Sequence, residues 1–459
     1  MYSKLRNTIE RFWNTALPIY PLVSLRIILG LMLTLSTLRF IVLGWIEDHY
    51  LEPVMRFHYF GFEWLPLLPP LGIYLVHYCM LISSILVVLG WKYRIASILL
   101  FLSFTYTELL DLTYYLNHYY FVSLACFLLI WVPANRYFSL DAWFRPSLIL
   151  LEVPAWTQRI FMLQIGIVYF YAGIAKINYD WLMEALPLRI WLPPNNHLPL
   201  IGEIFNWKIT PYVFSWFGML YDISIAFWLL WRVSRPWAFI TVVVFHTMTG
   251  ILFQIGVFPL VMIGAALIFF SPVWHQKVQE IISRIFRFKK LSIVQPTVQL
   301  QPAGVFLKTA LGMYLLFQIV FPWRFLLYPG NRFWTEEGYR FGWRVMLMEK
   351  AGTADFFVKD SCTGREGVVF NTDFLNDHQE KQMAMQPDMI LQYAHFLKQH
   401  YAKAGMCNPS VRAEVYVTLN GKPGYLLIDP HLDLTQIQDS WAAKEWILPM
   451  PEEELHASN

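Results

Sequence analysis

Apolar runs follow one another along most of this chain, near residues 21–45, 69–90, 94–110, 117–132, 157–177, 211–231, 236–253, 256–271 and 303–321. A helix needs about 20 mostly apolar residues to cross a bilayer, and each run reaches or approaches that length. The fourth and eighth are short, and only a tight turn at Gln254–Gly256 parts the seventh from the eighth. From about residue 333 the pattern changes: charged positions become frequent and long apolar runs stop. There RFGWRVML (340–347), DFFVKD (355–360) and EGVVFN (366–371) predict short strands, and residues 387–404 predict an amphipathic helix. Residues 412–430 predict a hairpin turning at Asn420–Gly421. The fold expected is a polytopic α-helical membrane protein of about nine transmembrane helices with a C-terminal extracytoplasmic α+β domain. Its divisions are a cytoplasmic segment 1–20, a membrane domain 21–325 and the α+β domain 326–459.

Composition agrees with a membrane protein. The chain is 57% hydrophobic and 15% charged, where a soluble domain would carry about 25% charged residues. Twenty tryptophans suit belts at the two interfaces. A net charge of +3 is too small for a nucleic-acid partner. Residues 1–20 mix polar and apolar positions, so the first span is expected to serve as the targeting signal. With the N-terminus inside, the inner segments hold Lys4, Arg6, Arg11, Lys92, Arg94, Arg136, Arg145, Arg232, Arg235, Lys277, Arg284, Arg287, Lys289 and Lys290. The outer loops hold only Arg56, Arg189 and Lys208, so the positive-inside rule favours that orientation. Nine spans then place the tail outside, where Cys362 and Cys407 could pair. Two inner segments, 138–153 and 276–290, predict amphipathic pieces on the cytosolic surface. No CxxC or HExxH pattern occurs, and no protein-bound metal is expected.

Polar residues inside the runs are the candidate chemistry, because each costs a few kcal/mol unless it reaches water, finds a partner or has a function. Arg26 lies near the inner end of the first run and can snorkel; Arg39 is deeper in its outer half and calls for a partner, with Glu108 and Asp111 as candidates. Asn117 and His118 open the fourth run, where Asn117 can cap the helix and His118 can sit at the wet interface. Lys176 ends the fifth run, with Asp180 one turn on at salt-bridge spacing. Asp222 and His246 lie in the sixth and seventh. Taken together, Asn117, His118, Lys176 and His246 all fall in the outer half, under the polar domain. Such a set suits proton abstraction, with a desolvated lysine as base and His and Asn donating to a developing oxyanion.

The segment IVYFYAGIAKINYDW (167–181) resembles the signature of vitamin K-dependent γ-glutamyl carboxylases and their bacterial relatives, the HTTM-domain proteins. Residues 116–144 resemble the family's Asn-His segment, residues 243–263 its histidine-bearing span, and 337–347 through 426–434 the first part of its lumenal region. The resemblance implies a chemistry in which oxidation of vitamin K hydroquinone by O2 drives removal of a glutamyl γ-hydrogen. The carbanion takes up CO2 to give γ-carboxyglutamate, and the quinone leaves as its epoxide. It implies Lys176 as base, Asn117 and His118 as the pair orienting the quinone oxygen, and His246 and Met346 at the quinone pocket. Tyr339 and Trp343 are implied at the glutamate end of the substrate. The partners implied are a glutamate-containing protein or peptide, membrane lipid and the quinone pool. The membrane implied is the cell membrane, or the endoplasmic reticulum in a eukaryote. The animal members continue past the point matched by Asn459, so the likeness is to a short, bacterial-type form. Two other readings stay open: a quinol epoxidase that does not carboxylate peptides, and a non-enzymatic polytopic ligand-binding protein.

Overall fold

A computed structural model describes residues 10–253, 255–285 and 303–451. Every apolar run forms a helix. Numbering the longer helices in chain order, α1 spans Tyr20–Val42, α2 Pro70–Leu89, α3 Tyr93–Leu109, α4 Asn117–Trp131 and α5 Trp156–Ala175. They are followed by α6 (Thr210–Leu230), α7 (Arg235–Leu252), α8 (Phe258–Ala266), α9 (Pro272–Ile285) and α10 (Val305–Val320). The expectation of nine crossings does not carry over. Six helical stretches among the described residues are long and apolar enough to cross, or seven if α8 and α9, bent by 116°, count as one. The reason is length. Helices α3 and α4 have 17 and 15 residues, roughly 25 and 22 Å at 1.5 Å per residue, against a hydrocarbon core of about 30 Å. With the N-terminus inside, seven crossings put the tail outside as nine would, and six put it inside, so parity alone does not orient the C-terminal region.

Local sequence explains the ends. Prolines at the first turns of α1, α2, α6, α7 and α8 occupy positions whose N–H has no helical partner. Helix α2 stops at Gly90, in the left-handed region at φ 61°. A Cβ there would also stand 2.3 Å from the Arg26 guanidinium. Arg26 does not snorkel: it is fully buried and donates to the carbonyls of Ala134 (3.0 Å) and Phe138 (2.6 Å). Segment 138–153 is broken into the single turns Leu140–Phe144 and Pro146–Leu148, with Trp143 and Phe144 exposed. It leads into strand Glu152–Pro154 (β2), which pairs with Ala16–Pro18 (β1). The amphipathic piece at 276–290 falls within α9 as far as Ile285, and 286–290 lie outside the described residues.

The C-terminal region is an antiparallel sheet backed by helices. Strands β3 (Lys350–Lys359), β4 (Glu366–Val369), β5 (Ser410–Leu419) and β6 (Tyr425–Leu426) lie in the order β4-β3-β5-β6. Alternate residues of β5, Val411, Ala413, Val415, Val417 and Leu419, are buried, the period of two of a sheet with one covered face. Helices α11 (Asp377–Met383) and α12 (Pro387–Lys403) cover it, with the Tyr393 ring edge-on to Phe356 at 4.8 Å. Asn420 and Gly421 both have positive φ (54° and 74°) and make the predicted hairpin turn. A disulfide joins Cys362 to Cys407.

Residues 340–347 are not the expected strand. They form irregular turns with positive φ at Phe341, Trp343 and Met346. The alternating pattern is overruled by tertiary contacts that hold the segment against the membrane domain. The core of the C-terminal region runs into Met55, Phe57, Tyr59, Leu112, Trp181 and Phe205, so the region sits on one end of the helix bundle. Lys92, Arg136 and Arg232 belong to loops at the opposite end.

Candidate active site

Helix α5 ends at Ala175 with Lys176 as its cap, and Asn178 at once caps another single turn, Tyr179–Leu182, by accepting from the Trp181 backbone N–H at 2.9 Å. That turn brings Trp181 back over the lysine. Its indole N–H is fixed on the Ser215 carbonyl at 2.9 Å, and its ring lies 5.2 Å from Lys176 Nζ. Across from it α5 meets α6 at Gly173, where a Cβ would stand 2.6 Å from the Ile223 backbone nitrogen. Only glycine permits this approach of two helices. The approach delivers Asp222 to Lys176: Nζ donates to Oδ2 at 2.8 Å and to the Ala172 carbonyl at 3.2 Å. Lys176 is 6% exposed and Asp222 4%, so this is a buried ion pair. The partner is not Asp180, whose carboxylate instead accepts from Asn420 Nδ2 of the hairpin at 2.7 Å.

Lys176 faces a cavity of about 110 Å³. Aromatic walls surround it, among them Trp181, Trp191, Phe214, Phe245 and Phe258. His246 and Met346 line it with Lys176, so the structure brings these three predicted residues together. His246 is buried, and its Nε2 shares a proton with the Tyr169 hydroxyl at 2.8 Å. Asn117 and His118 do not line this cavity. His118 stacks on Phe258 at 4.9 Å, and the same Phe258 ring meets His246 edge-on at 6.0 Å, so the two histidines communicate through one wall residue.

Asn117 does not cap α4, whose N-cap is Leu116. It accepts from the Tyr115 hydroxyl at 3.0 Å and donates Nδ2 to the Arg344 carbonyl at 2.8 Å. Tyr115 in turn accepts from the Phe341 N–H at 2.6 Å. This chain of hydrogen bonds fastens 341–344 to the start of α4, and the next residues, Val345 and Met346, reach the cavity. Arg340 anchors the same segment from the other side on Asp388 and Gln386. Burial pushes the Asp388 carboxyl up, but the Arg340 charge and hydrogen bonds outweigh it and hold Asp388 below its ordinary value. Burial first, then the neighbouring Arg332 charge, lowers Arg344 to about 10. Left-handed conformations at Phe341, Trp343 and Met346 each cost on the order of 1–3 kcal/mol, and such residues cluster where ligands are held. Trp343 is fully buried and stacks on Tyr120 at 4.8 Å, while Tyr339 packs near Phe333; neither lines the cavity.

Tyr169 is not among the sequence candidates, and Asp222 is among them only as a polar residue of its run, not as the partner of Lys176. Asp222 carried a signal, being the one acid in its run, for which a buried lysine elsewhere is the natural counter-charge. Nothing in the pattern distinguished Tyr169 from other interfacial tyrosines.

Residues 14–274 match the HTTM domain, more than half of the chain. The chain belongs to the HTTM-domain family. Residues 304–453 match the vitamin K-dependent gamma-carboxylase lumenal domain, which covers the sheet region and the segment that reaches the cavity. This HTTM protein is therefore of the carboxylase kind, embedded in a membrane, and its family implies a vitamin K cofactor. No solved structure matches it. Among the described residues no group of three or more His, Cys, Asp or Glu could hold a metal. The donor set of the cavity fits a quinol: flat aromatic walls for a fused ring, with Lys176 and His246 as the convergent polar groups.

Proposed function

We propose that this HTTM protein carboxylates glutamyl residues at the γ-carbon, using vitamin K hydroquinone, O2 and CO2, with Lys176 as base. The observation that carries the reading is the Lys176–Asp222 pair, buried against an aromatic cavity and covered by the lumenal-type domain. When bound, the reduced vitamin K supplies the oxidative driving force that no side-chain base could match. Lys176, His246, Phe258 and Met346 would hold it. Lys176 spends two N–H groups on Asp222 and Ala172, and the third is free for the cavity. Asp222 Oδ2 can take the proton that Nζ donates to it, and rotation about the Cε–Nζ bond then turns the amine lone pair to the cavity, where it can accept a proton. Tyr169 fixes the tautomer and angle of His246. The Tyr115–Asn117–Arg344 chain keeps Val345 and Met346 in place and water out, which protects a carbanion.

The orientation proposed has the N-terminus in the cytoplasm and the C-terminal domain outside. What supports it is the basic loops at one end of the bundle and the C-terminal core at the other, not the crossing tally. The partner is then a glutamate-containing polypeptide arriving from outside, and the quinol comes from the lipid. A second reading, quinol epoxidation without peptide carboxylation, draws on the cavity size. At about 110 Å³ it is well below the roughly 300 Å³ at which small-molecule sites begin, so quinol and glutamyl chain together need the walls to move. One assay separates the two: hydroquinone, labelled bicarbonate and a short Glu peptide, scored for both epoxide and fixed label. Label in the peptide with equimolar epoxide is expected; epoxide without label establishes the second reading, and neither product sinks both.

A further inference from the structure

A second cavity, about 960 Å³, shares no lining residue with the one that holds Lys176. It lies between the outer ends of α1–α4 and helix α11 of the C-terminal region. Its floor is apolar, formed by Leu33, Met80 and Phe104. Its polar lining mixes hydroxyls and amides, among them Ser36, Tyr119 and Gln382, with two acceptors that no described donor meets. His77, 2% exposed, uses Nδ1–H on the Ile73 carbonyl at 2.9 Å, which leaves a lone pair on Nε2 that no described residue satisfies. The Glu108 carboxylate also lines the cavity and accepts no hydrogen bond from a described side chain. Arg39, the basic partner expected for it, is exposed and lies over Trp45 at 4.7 Å. Asp111, the other candidate, is engaged by Thr113 and Gln379. His49 Nδ1 is buried without a partner, and burial first, then the nearby His378, lowers this imidazole to about 4, so it adds no positive charge. Exposed Asp48, Glu52 and Asp377 stand at the mouth, and no lysine or arginine lines the cavity. One wall is a stack of His49 on Tyr114 at 4.0 Å and Tyr114 on His378 at 4.6 Å, the rings turned face to face on one another.

This lining repels an anion, and among the described residues it holds no triad set for a metal. Unsatisfied acceptors behind a mouth of exposed carboxylates, above an apolar floor, call for N–H donors on a cation that has an aliphatic stem. We propose that the cavity binds an alkylammonium group, entering from the wet face between Asp48, Glu52 and Asp377 and seated on Glu108 and His77. A free diamine and the side chain of a polypeptide lysine present the same chemistry.

The test is equilibrium binding of labelled 1,5-diaminopentane to the full chain in detergent, with 1,5-pentanediol as the neutral isostere. Saturable diamine binding is expected, at least about tenfold weaker in Glu108→Gln, as for loss of a charge-assisted hydrogen bond, with the diol failing to compete. Competition by N-acetyl-lysine amide as strong as by the diamine assigns the site to lysine side chains; weak competition assigns it to free diamines. A thermal melt checks that Glu108→Gln folds. If it does not, Asp48→Asn with Glu52→Gln, both at the exposed mouth, should weaken binding instead. No saturable binding, equal competition by the diol, or folded variants that bind like the parent would each overturn the proposal. The readout is binding alone, so it fails or succeeds apart from the carboxylase reading.

Discussion

Gly173→Ala should disable this protein while Gly166→Ala, two turns earlier on the same helix, should not. At Gly173 a Cβ would stand 2.5 Å from Ile223 Cγ1, 2.6 Å from the Ile223 backbone nitrogen and 3.1 Å from the Asp222 carbonyl carbon. The side-chain atom can turn aside, but the backbone atoms cannot. Reaching ordinary contact, which begins at 3.4 Å, requires α5 and α6 to part by about 0.8 Å in a close-packed interior. Overpacking of this kind costs about 1–3 kcal/mol. The same displacement stretches the Lys176–Asp222 bond from 2.8 Å towards the limit of a hydrogen bond. Misplacement by about 1 Å at a reacting group can cost on the order of 100-fold in rate. At Gly166 the nearest atom to a new Cβ is the Ala226 methyl at 3.7 Å, an ordinary contact. The assay is thermal melting of the purified chain alongside epoxide formation from vitamin K hydroquinone. A lowered melting point and a rate down by about tenfold or more are expected for Gly173→Ala only. Parental behaviour of Gly173→Ala, or equal damage from Gly166→Ala, would refute the close-approach argument.

Tyr115→Phe removes the hydroxyl that links Phe341 N–H to Asn117; about 1–3 kcal/mol of local stability should go, seen as faster hydrogen exchange across 340–346 with the rest of the C-terminal region unchanged. Burial raises the Asp111 carboxyl to about 6, so the folded state holds its proton more tightly than the unfolded chain, and stability should fall as pH rises from about 4 to about 6. Asp111→Asn should flatten that stretch of the melting-point-against-pH curve. Reduction of Cys362–Cys407 should lower the melting point of the C-terminal region, by about 2–4 kcal/mol in stability for a loop of this size; a melt indifferent to reductant would show that the bridge does not stabilise the fold.

The helices were legible because hydrophobic runs of this length have few alternatives, and all of them form where the pattern put them. How many cross was not legible, since α3 and α4 fall short of a bilayer by a few residues each and α8, with 9 residues, is less than half of a crossing. The β5–β6 hairpin and helix α12 followed from turn chemistry and period, both local signals. The failures are tertiary. Residues 340–347 alternate like a strand, yet Tyr115, Asn117 and Asp388, remote in the chain, hold them in turns. Lys176 had Asp180 at helical spacing, but the helix ends at Ala175, which removes that geometry, and Gly173 admits Asp222 from another helix. Asn117 looked like a cap because of its position and proved to be a clasp on Arg344. The set Lys176, His246 and Met346 was readable through the family resemblance; the separation of His118 from the cavity by Phe258 was not, because nothing in the spacing of 118 and 258 reports a ring contact.

The account rests on the amine of Lys176, and epoxide formation from vitamin K hydroquinone in membranes holding Lys176→Ala tests it most directly. With expression and monodispersity kept at parental levels, no epoxide is predicted. Turnover at the parental rate would contradict the assignment of the base, and with it the role given to Asp222.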